Sequence, residues 1–376
     1  MEIIERDVTT ARGRVHVRQS APGGAGPADP ARTGGAGPAD PARTGGAGPA
    51  DPAEVGHLGT VVLVHGNCSS SAFFHHLLGR LPDGWRGLAP DLRGFGDSEP
   101  LPVDATRGMR DFSDDLAALL DTLGITRAAF VAHSAGAGAV MQLAIDRPDL
   151  VGPVLLEAPM SPYGFGGTAG PEGRPCWPDF AGSGGGTANP EFVAALAAGE
   201  RGAARASSPL SVFRSLYVVP GTALEDEDLL LDSVLSTRTG EHHYPGPAVP
   251  SANWPGTAPG TTGMNNALSP RYFDVSAFAG AVGVGPVTWV RGDADAIVSD
   301  TSLLDIGHLG AMGAVPGWPG EEAYPAQPMV TQTRAVLDRY AAAGGAYEEI
   351  VLPGVGHSPH LEDPNRFAEI LARALA

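Results

Sequence analysis

A serine hydroxyl becomes a useful nucleophile only when a histidine can take its proton and a carboxylate can orient that histidine. One serine of the chain is set up for this. Ala132-His133-Ser134-Ala135-Gly136 follows the apolar run Ala128–His133 and opens the helix-like stretch Ala135–Asp146. A strand-to-helix turn this tight needs small residues two before and two after the serine, and it presents the hydroxyl at the helix N-terminus. The stringent form of the pattern has Gly at the first small position, where this chain has Ala132, one methyl larger. A second match, Ala181-Gly182-Ser183-Gly184-Gly185, sits in a glycine tract with no flanking strand or helix and is read as structural. Ser134 is therefore the candidate nucleophile.

Among eleven histidines, His357 is the candidate base. It follows the last strand-like run, in Gly354-Val355-Gly356-His357-Ser358-Pro359-His360, where glycines let a loop bend back over the sheet edge. His360 reads as a helix-entry or lid contact. The orienting carboxylate is sought in Arg291-Gly292-Asp293-Ala294-Asp295-Ala296-Ile297-Val298, after the strand-like Val287–Val290. Asp295 is preferred, because Ile297 and Val298 can anchor the loop in the core just behind it. Glu157, at the end of an earlier strand, and Asp293, a turn residue that can bond its own backbone, are the alternatives. A tetrahedral oxyanion needs two backbone N–H donors. Ala135 is one, and Asn67 is the other, since Gly66 lets the chain turn sharply after the Thr60–Val64 run. Cys68 has no evident histidine partner and is set aside as a rival nucleophile.

These residues must be held by alternating elements. Arg14–Gln19, Thr60–Val64, Leu88–Asp91, Ala128–His133, Gly152–Glu157, Pro286–Arg291 and Tyr347–Leu352 read as strands. Helical spacing covers Asp111–Leu123, Ala135–Asp146, Thr331–Ala343 and residues 364–375. Alternating βα units predict an α/β fold with a doubly wound, mostly parallel sheet. The chain divides into a first part of the core (1–157), an insertion (158–278) and a second part of the core (279–376). An eleven-residue unit, GAGPADPARTG, occurs at 24–34, recurs at 35–45 and is truncated at 46–53. Its Gly and Pro density forbids a helix, so 20–56 reads as a disordered insertion without functional weight. The 158–278 insertion reads as a cap or lid, rich in Gly, Pro and aromatics, with patchy helix at 191–206 and 224–237. Tyr163, Phe165, Trp177 and Trp254 are its candidate substrate contacts, lining a wide apolar pocket. The long stretch 299–330, with Trp318 and Tyr324, is expected at the pocket entrance.

The order Ser134, Asp295, His357 resembles that of the α/β-hydrolase family. So do the His65-Gly66 turn, the stretch Asp91-Leu92-Arg93-Gly94-Phe95-Gly96-Asp97-Ser98, and Gly356-His357 with Pro359, Glu362 and Pro364. The resemblance covers about 60–157 and 286–376. It implies a capped sheet and a cofactor-free hydrolase, and it does not fix the reaction. Dehalogenases and epoxide hydrolases of this fold carry an aspartate at the turn, so a serine at 134 disfavours both, although His65-Gly66-Asn67 resembles dehalogenase loops.

Composition narrows the chemistry further. All 24 basic residues are arginines, which removes Schiff-base aldolases, pyridoxal-phosphate enzymes and Walker-type phosphate loops. A formal charge of −18 is repelled by nucleic acid and by anionic membrane surfaces, so neither is an expected partner. The two cysteines, Cys68 and Cys176, show no structural-zinc spacing, and the paired histidines at 75–76 and 242–243 read as incidental rather than as a metal site. Met1–Arg14 is charged and polar with no apolar signal region, and no run of 18 apolar residues occurs, so a cytoplasmic protein is expected. The leading expectation is a serine hydrolase cleaving an ester, lactone or thioester of a bulky apolar small molecule, its activity falling as His357 protonates. The alternatives are a non-hydrolytic biosynthetic enzyme on the same scaffold (C–C bond formation, cyclisation or acyl transfer on a natural product) and a non-catalytic ligand-binding protein.

Overall fold

A computed structural model describes residues 2–20 and 58–376. The repeats at 24–53 lie outside the described residues. The strands are β1 (Ile3–Thr10), β2 (Gly13–Ser20), β3 (Gly59–Val64), β4 (Trp85–Pro90), β5 (Ala128–His133), β6 (Val151–Glu157), β7 (Val287–Gly292) and β8 (Tyr347–Leu352). They form one sheet in the order β1-β2-β4-β3-β5-β6-β7-β8. The pairs from β4 to β8 are parallel, and β1–β2 and β2–β4 are antiparallel. The α/β class read from the sequence is the observed one. β1 is an addition to that reading: it is a charge-rich edge strand, and charge on an edge both blocks further pairing and hides the alternation that marks a strand.

The period of two along the central strands divides the core. Val62, Val64, Leu88, Phe130, Ala132, Val154 and Trp289 face one side; Val61, Leu63, Ala89, Ala129, Val131, Leu155 and Val290 face the other. On the first face lie α1 (Arg110–Thr122), α2 (Ala135–Asp146) and a helix at Met329–Ala342. In α1, Phe112, Leu116, Leu119 and Leu120 are buried, the i, i+4, i+7, i+8 stripe of a surface helix. The other face is closed by the C-terminal helix Pro364–Ala374, through Phe367, Ile370 and Leu371, which Asp363 caps at the Arg366 amide.

Between β6 and β7 the chain leaves the sheet. Helices appear at Pro190–Ala197 and Glu227–Leu235, shorter than the 191–206 and 224–237 stretches predicted. The first stops because Gly199, at φ +64°, takes the left-handed position just past the helix end, and its amide bonds the Leu196 carbonyl. This segment has a core of its own. Phe192, Phe213, Tyr217, Leu230, Val234 and Tyr244 pack with Cys68 and Phe73 after β3 and with Ile297 and Val298 after β7. Its last part behaves differently: Met264, Leu268, Phe273, Val275 and Phe278 join the main core on the α1 and α2 face.

Candidate active site

Parallel strands end together, so the loops after them converge. Along the sheet, His133 pairs with Glu157 and Glu157 with Val290, while Gly292 pairs with Leu352. The residues following β3, β5, β7 and β8 thus meet at the carboxyl end of the sheet. Asn67, Ser134 and His357 all line one cavity there, of about 550 Å³.

Ser134 occupies the turn between β5 and α2 at φ 54°, ψ −121°, a backbone conformation costly for a residue with a side chain. Its surroundings impose it. The Ser134 amide donates to the Glu157 carbonyl at 2.9 Å, and the Ser134 carbonyl accepts from Ala137 and Met160 at 3.1 Å. A Cβ at Gly136 would stand 2.4 Å from the His65 carbonyl oxygen, and one at Gly66 would stand 2.8 Å from the Ser134 Cβ. Both glycines are required by this close approach of two backbones. Ala132 is fully buried, its methyl accommodated.

His357 is buried at 1% exposure, and its Nδ1 lies 2.9 Å from Asp295 Oδ2. The other oxygen of Asp295 accepts from the Ile297 and Val298 amides at 2.8 and 2.9 Å, so the carboxylate is fixed by the loop that carries it. Facing a carboxylate, Nδ1 carries the proton and leaves Nε2 as the acceptor. Glu157 does not meet His357. Its Oε1 accepts from the backbone amide and Nδ1 of His360 at 2.8 and 2.7 Å, while His360 Nε2 donates to the Phe73 carbonyl at 3.1 Å. Asp293 ties loop to loop, accepting from the Gly354 amide at 2.7 Å.

His133, the residue before the serine, donates from Nε2 to the His357 carbonyl at 2.9 Å. Burial, and then the neighbouring His357 and His360, hold its pKa well below the usual histidine range, so it stays neutral. A histidine next to the serine is visible in the sequence, but nothing local says that it reaches the base.

Ala135 opens α2, so its N–H has no partner within the helix. The Gly66–Asn67 peptide is held at its carbonyl end. Leu92 N–H donates to His65 Nε2 at 2.9 Å, which leaves the His65 proton on Nδ1, 2.8 Å from the Gly66 oxygen. Ser69 Oγ donates to the same oxygen at 3.0 Å. Burial lowers the His65 pKa and keeps that tautomer neutral. The loop is also anchored through Asp91, whose carboxylate accepts from the Ser71 and Asp97 amides at 2.7 and 2.8 Å. Gly96, at φ +55°, is forced by that turn, since a Cβ there would fall 1.9 Å from Asp91 Oδ2.

The cavity walls are mainly apolar: Met160, Phe165, Phe192, Leu216, Leu268, Ile297 and Val298 line it, with Thr187, Asn189, Glu191 and Arg205 among the polar residues. Of the four aromatics read from the sequence as substrate contacts, Phe165 is in this lining; Tyr163, Trp177 and Trp254 are not. Tyr163 accepts from Arg339 at 2.8 Å. Trp177 and Trp254 pack on Tyr324, and Trp254 donates to the Pro316 carbonyl at 2.9 Å. They pin the insertion to the 299–330 stretch, which reaches the cavity through Leu304 rather than Trp318 or Tyr324. Cys68 also lines the cavity, and burial pushes its thiol up to about 12, far from a reactive thiolate. Ser183 is buried, bonded to the Phe180 carbonyl and Ser269 Oγ. Among the described residues, one trio of side chains has ligand atoms within 4.8 Å of one another, His16, Asp91 and Asp97, and the Asp91 oxygens there already serve backbone amides. No helix among the described residues is long and apolar enough to cross a membrane.

Residues 59–182 match the family model of the alpha/beta hydrolase fold. An Epoxide hydrolase 2 of Siraitia grosvenorii is 40% identical over 77 residues, 20% of this chain and 24% of that protein. A 2-(acetamidomethylene)succinate hydrolase of Mesorhizobium japonicum is 37% identical over 95 residues, 25% of this chain and 34% of that protein. The chain thus spans a quarter to a third of the length of these relatives. The whole fold superposes on the carboxylesterase CesB (YbfK) from Bacillus subtilis with a TM-score of 0.57 at 14% identity, covering 100% of this chain and 92% of the esterase. The chain has the α/β-hydrolase fold, with that family's sequence pattern matched in residues 59–182.

Proposed function

We propose that the protein is a cofactor-free serine hydrolase, cleaving an ester, lactone or thioester of a bulky, largely apolar substrate through an acyl-enzyme. One observation carries this reading: a serine in a strained strand-to-helix turn shares a cavity with a histidine whose Nδ1 is 2.9 Å from a buried carboxylate. His357 Nε2 takes the proton of Ser134 Oγ as that oxygen attacks the substrate carbonyl. The oxyanion is held by the Asn67 and Ala135 amides, and Asp295 stabilises the imidazolium. The histidine returns the proton to the leaving group. Water then attacks the acyl-enzyme by the same route, releasing the acid and restoring Ser134. Residues 158–278 act as the cap, supplying Phe165, Phe192 and Leu216 to a cavity suited to an apolar acyl or ring group. Relatives that are hydrolases by name support hydrolysis over a purely binding role, and the serine at 134 favours acyl chemistry over epoxide opening.

Intact-mass measurement after fluorophosphonate treatment, beside turnover of short p-nitrophenyl esters, tests the reading. Wild type gains one adduct and hydrolyses the esters, and Ser134→Ala does neither. A wild type that takes no adduct and turns over no ester would sink the proposal in favour of non-hydrolytic chemistry or ligand binding. Ester turnover unchanged in Ser134→Ala would sink the mechanism.

A further inference from the structure

In the proposed anion hole, Asn67 is hydrogen-bonded directly to the 158–278 segment. Tyr217 Oη donates to the Asn67 carbonyl at 3.0 Å, and Asn67 Nδ2 donates to Asn265 Oδ1 at 3.0 Å. The Asn67 Oδ1 is turned back onto the Cys68 amide at 3.1 Å, and Cys68 itself sits at φ 48°. Asn67 is thus bound at its backbone carbonyl and at both ends of its side-chain amide. The Gly66 carbonyl, on the peptide that carries the Asn67 N–H, is bonded to His65 and Ser69. Tyr217 is buried, and its ring meets Phe73 and His357 edge-on at 6.1 Å and Phe213 at a tilt at 5.9 Å. The hydroxyl therefore sits on a ring that has little freedom to move.

We propose that Tyr217 and Asn265 are positioning residues for the anion hole, so that the inserted segment, besides walling the cavity, sets the aim of the Asn67 N–H. This rests on the acyl-enzyme reading above. A peptide N–H stabilises an oxyanion only when it is already pointed at the place where charge develops, and a freed loop loses that aim at the transition state more than in the ground state. Loss of either contact therefore lowers kcat and leaves KM nearly as it was.

The experiment compares wild type, Tyr217→Phe and Asn265→Leu on an aryl ester and on its thionoester, with Trp254→Phe as the control. Tyr217→Phe removes one hydroxyl and keeps the packed ring. Trp254→Phe removes a contact of the same segment away from the cavity. The expected result is a fall in kcat on the order of tenfold on the ester in both variants, with KM within about twofold. The loss on the thionoester should be smaller, because sulfur accepts hydrogen bonds poorly and depends less on the hole. Trp254→Phe should match wild type. Unchanged kcat in both variants overturns the inference, as does an equal loss on ester and thionoester or the same loss in Trp254→Phe. A wild type that takes no fluorophosphonate adduct removes the parent reading and this inference with it. A wild type labelled at Ser134, with both variants unaffected, removes the inference alone.

Discussion

His357 Nδ1 lies 2.9 Å from Asp295 Oδ2, while Glu157, one strand away, is bonded to His360 instead. Two buried carboxylates thus meet two buried histidines three residues apart in the chain, and the pairing assigns them different work. Asp295→Asn keeps an oxygen for the Ile297 and Val298 amides but turns an NH2 toward His357, which reverses the tautomer. Ester turnover is expected to fall on the order of 10³- to 10⁴-fold with little change in melting temperature. Glu157→Ala leaves the ring and backbone N–H groups of His360 buried without their acceptor. It is expected to cost roughly 2–4 kcal/mol of stability. Urea melts and kcat on the two purified variants check this, and an inactive but fully stable Glu157→Ala beside an active Asp295→Asn would reassign the acid.

Much of this end of the sheet is legible in the sequence because its signals are local. β5 is buried on both faces, so its run is apolar through Ala132, and α2 begins at the serine turn; both have the bounds read from the sequence. Asp295 is marked by Ile297 and Val298, which return to the core after it. The 158–278 insertion is not legible in this way. Trp177 and Trp254 have the composition of a substrate wall, yet Tyr324, some 70 or more residues later, draws them away. Tyr217 and Asn265 carry no local sign that they reach Asn67, because that contact spans 150 and 198 residues and depends on how the whole insertion seats.

The cavity makes a prediction about substrate length. Phe192 and Leu216 line it from the insertion, and Leu268 lines it from the part of the chain that packs into the main core. Leu216→Trp should fill part of the 550 Å³ and penalise long or branched acyl chains while sparing acetate esters. The kcat/KM for a long-chain ester is expected to fall about 10-fold or more relative to the acetate, since each excluded methylene removes roughly 1 kcal/mol of binding. An unchanged chain-length profile would place the acyl group elsewhere.

Cys68 tests the electrostatics of the same wall. Its thiol is pushed up to about 12, chiefly by burial, with Thr237, Tyr244 and Tyr217 opposing the shift. The neutral thiol should resist iodoacetamide at pH 8 in the folded protein and react once the protein is unfolded in urea. An acid whose folded pKa is raised favours folding below its unfolded value and loses that contribution as pH rises through the folded one. For Cys68 the window runs from about 9 to about 12. Cys68→Ala should therefore flatten the loss of stability over that alkaline range. Rapid alkylation of the native protein at Cys68 at pH 8 would contradict this.

At the acid end the sign is opposite, and the groups are His133 and His65. Both are held below the usual histidine value, His133 by burial and then by His357 and His360, and His65 by burial against a weaker opposing pull from Asp91. Each is bound as a neutral ring: His133 gives its Nε2 proton to the His357 carbonyl, and His65 accepts from Leu92 while donating to Gly66. In the unfolded chain both take up a proton near pH 6.5. A base whose folded pKa is depressed contributes stability that is present above the unfolded value and is lost as pH falls toward the folded one. Urea melts should therefore show stability declining between about pH 7 and pH 5, before most carboxylates titrate. His133→Gln removes one of the two titrating rings and should reduce that slope, whatever it does to absolute stability. A slope identical to wild type would show that His133 does not bind its proton on unfolding, and would remove the neutral ring next to Ser134 from the account of how the His357 loop is held.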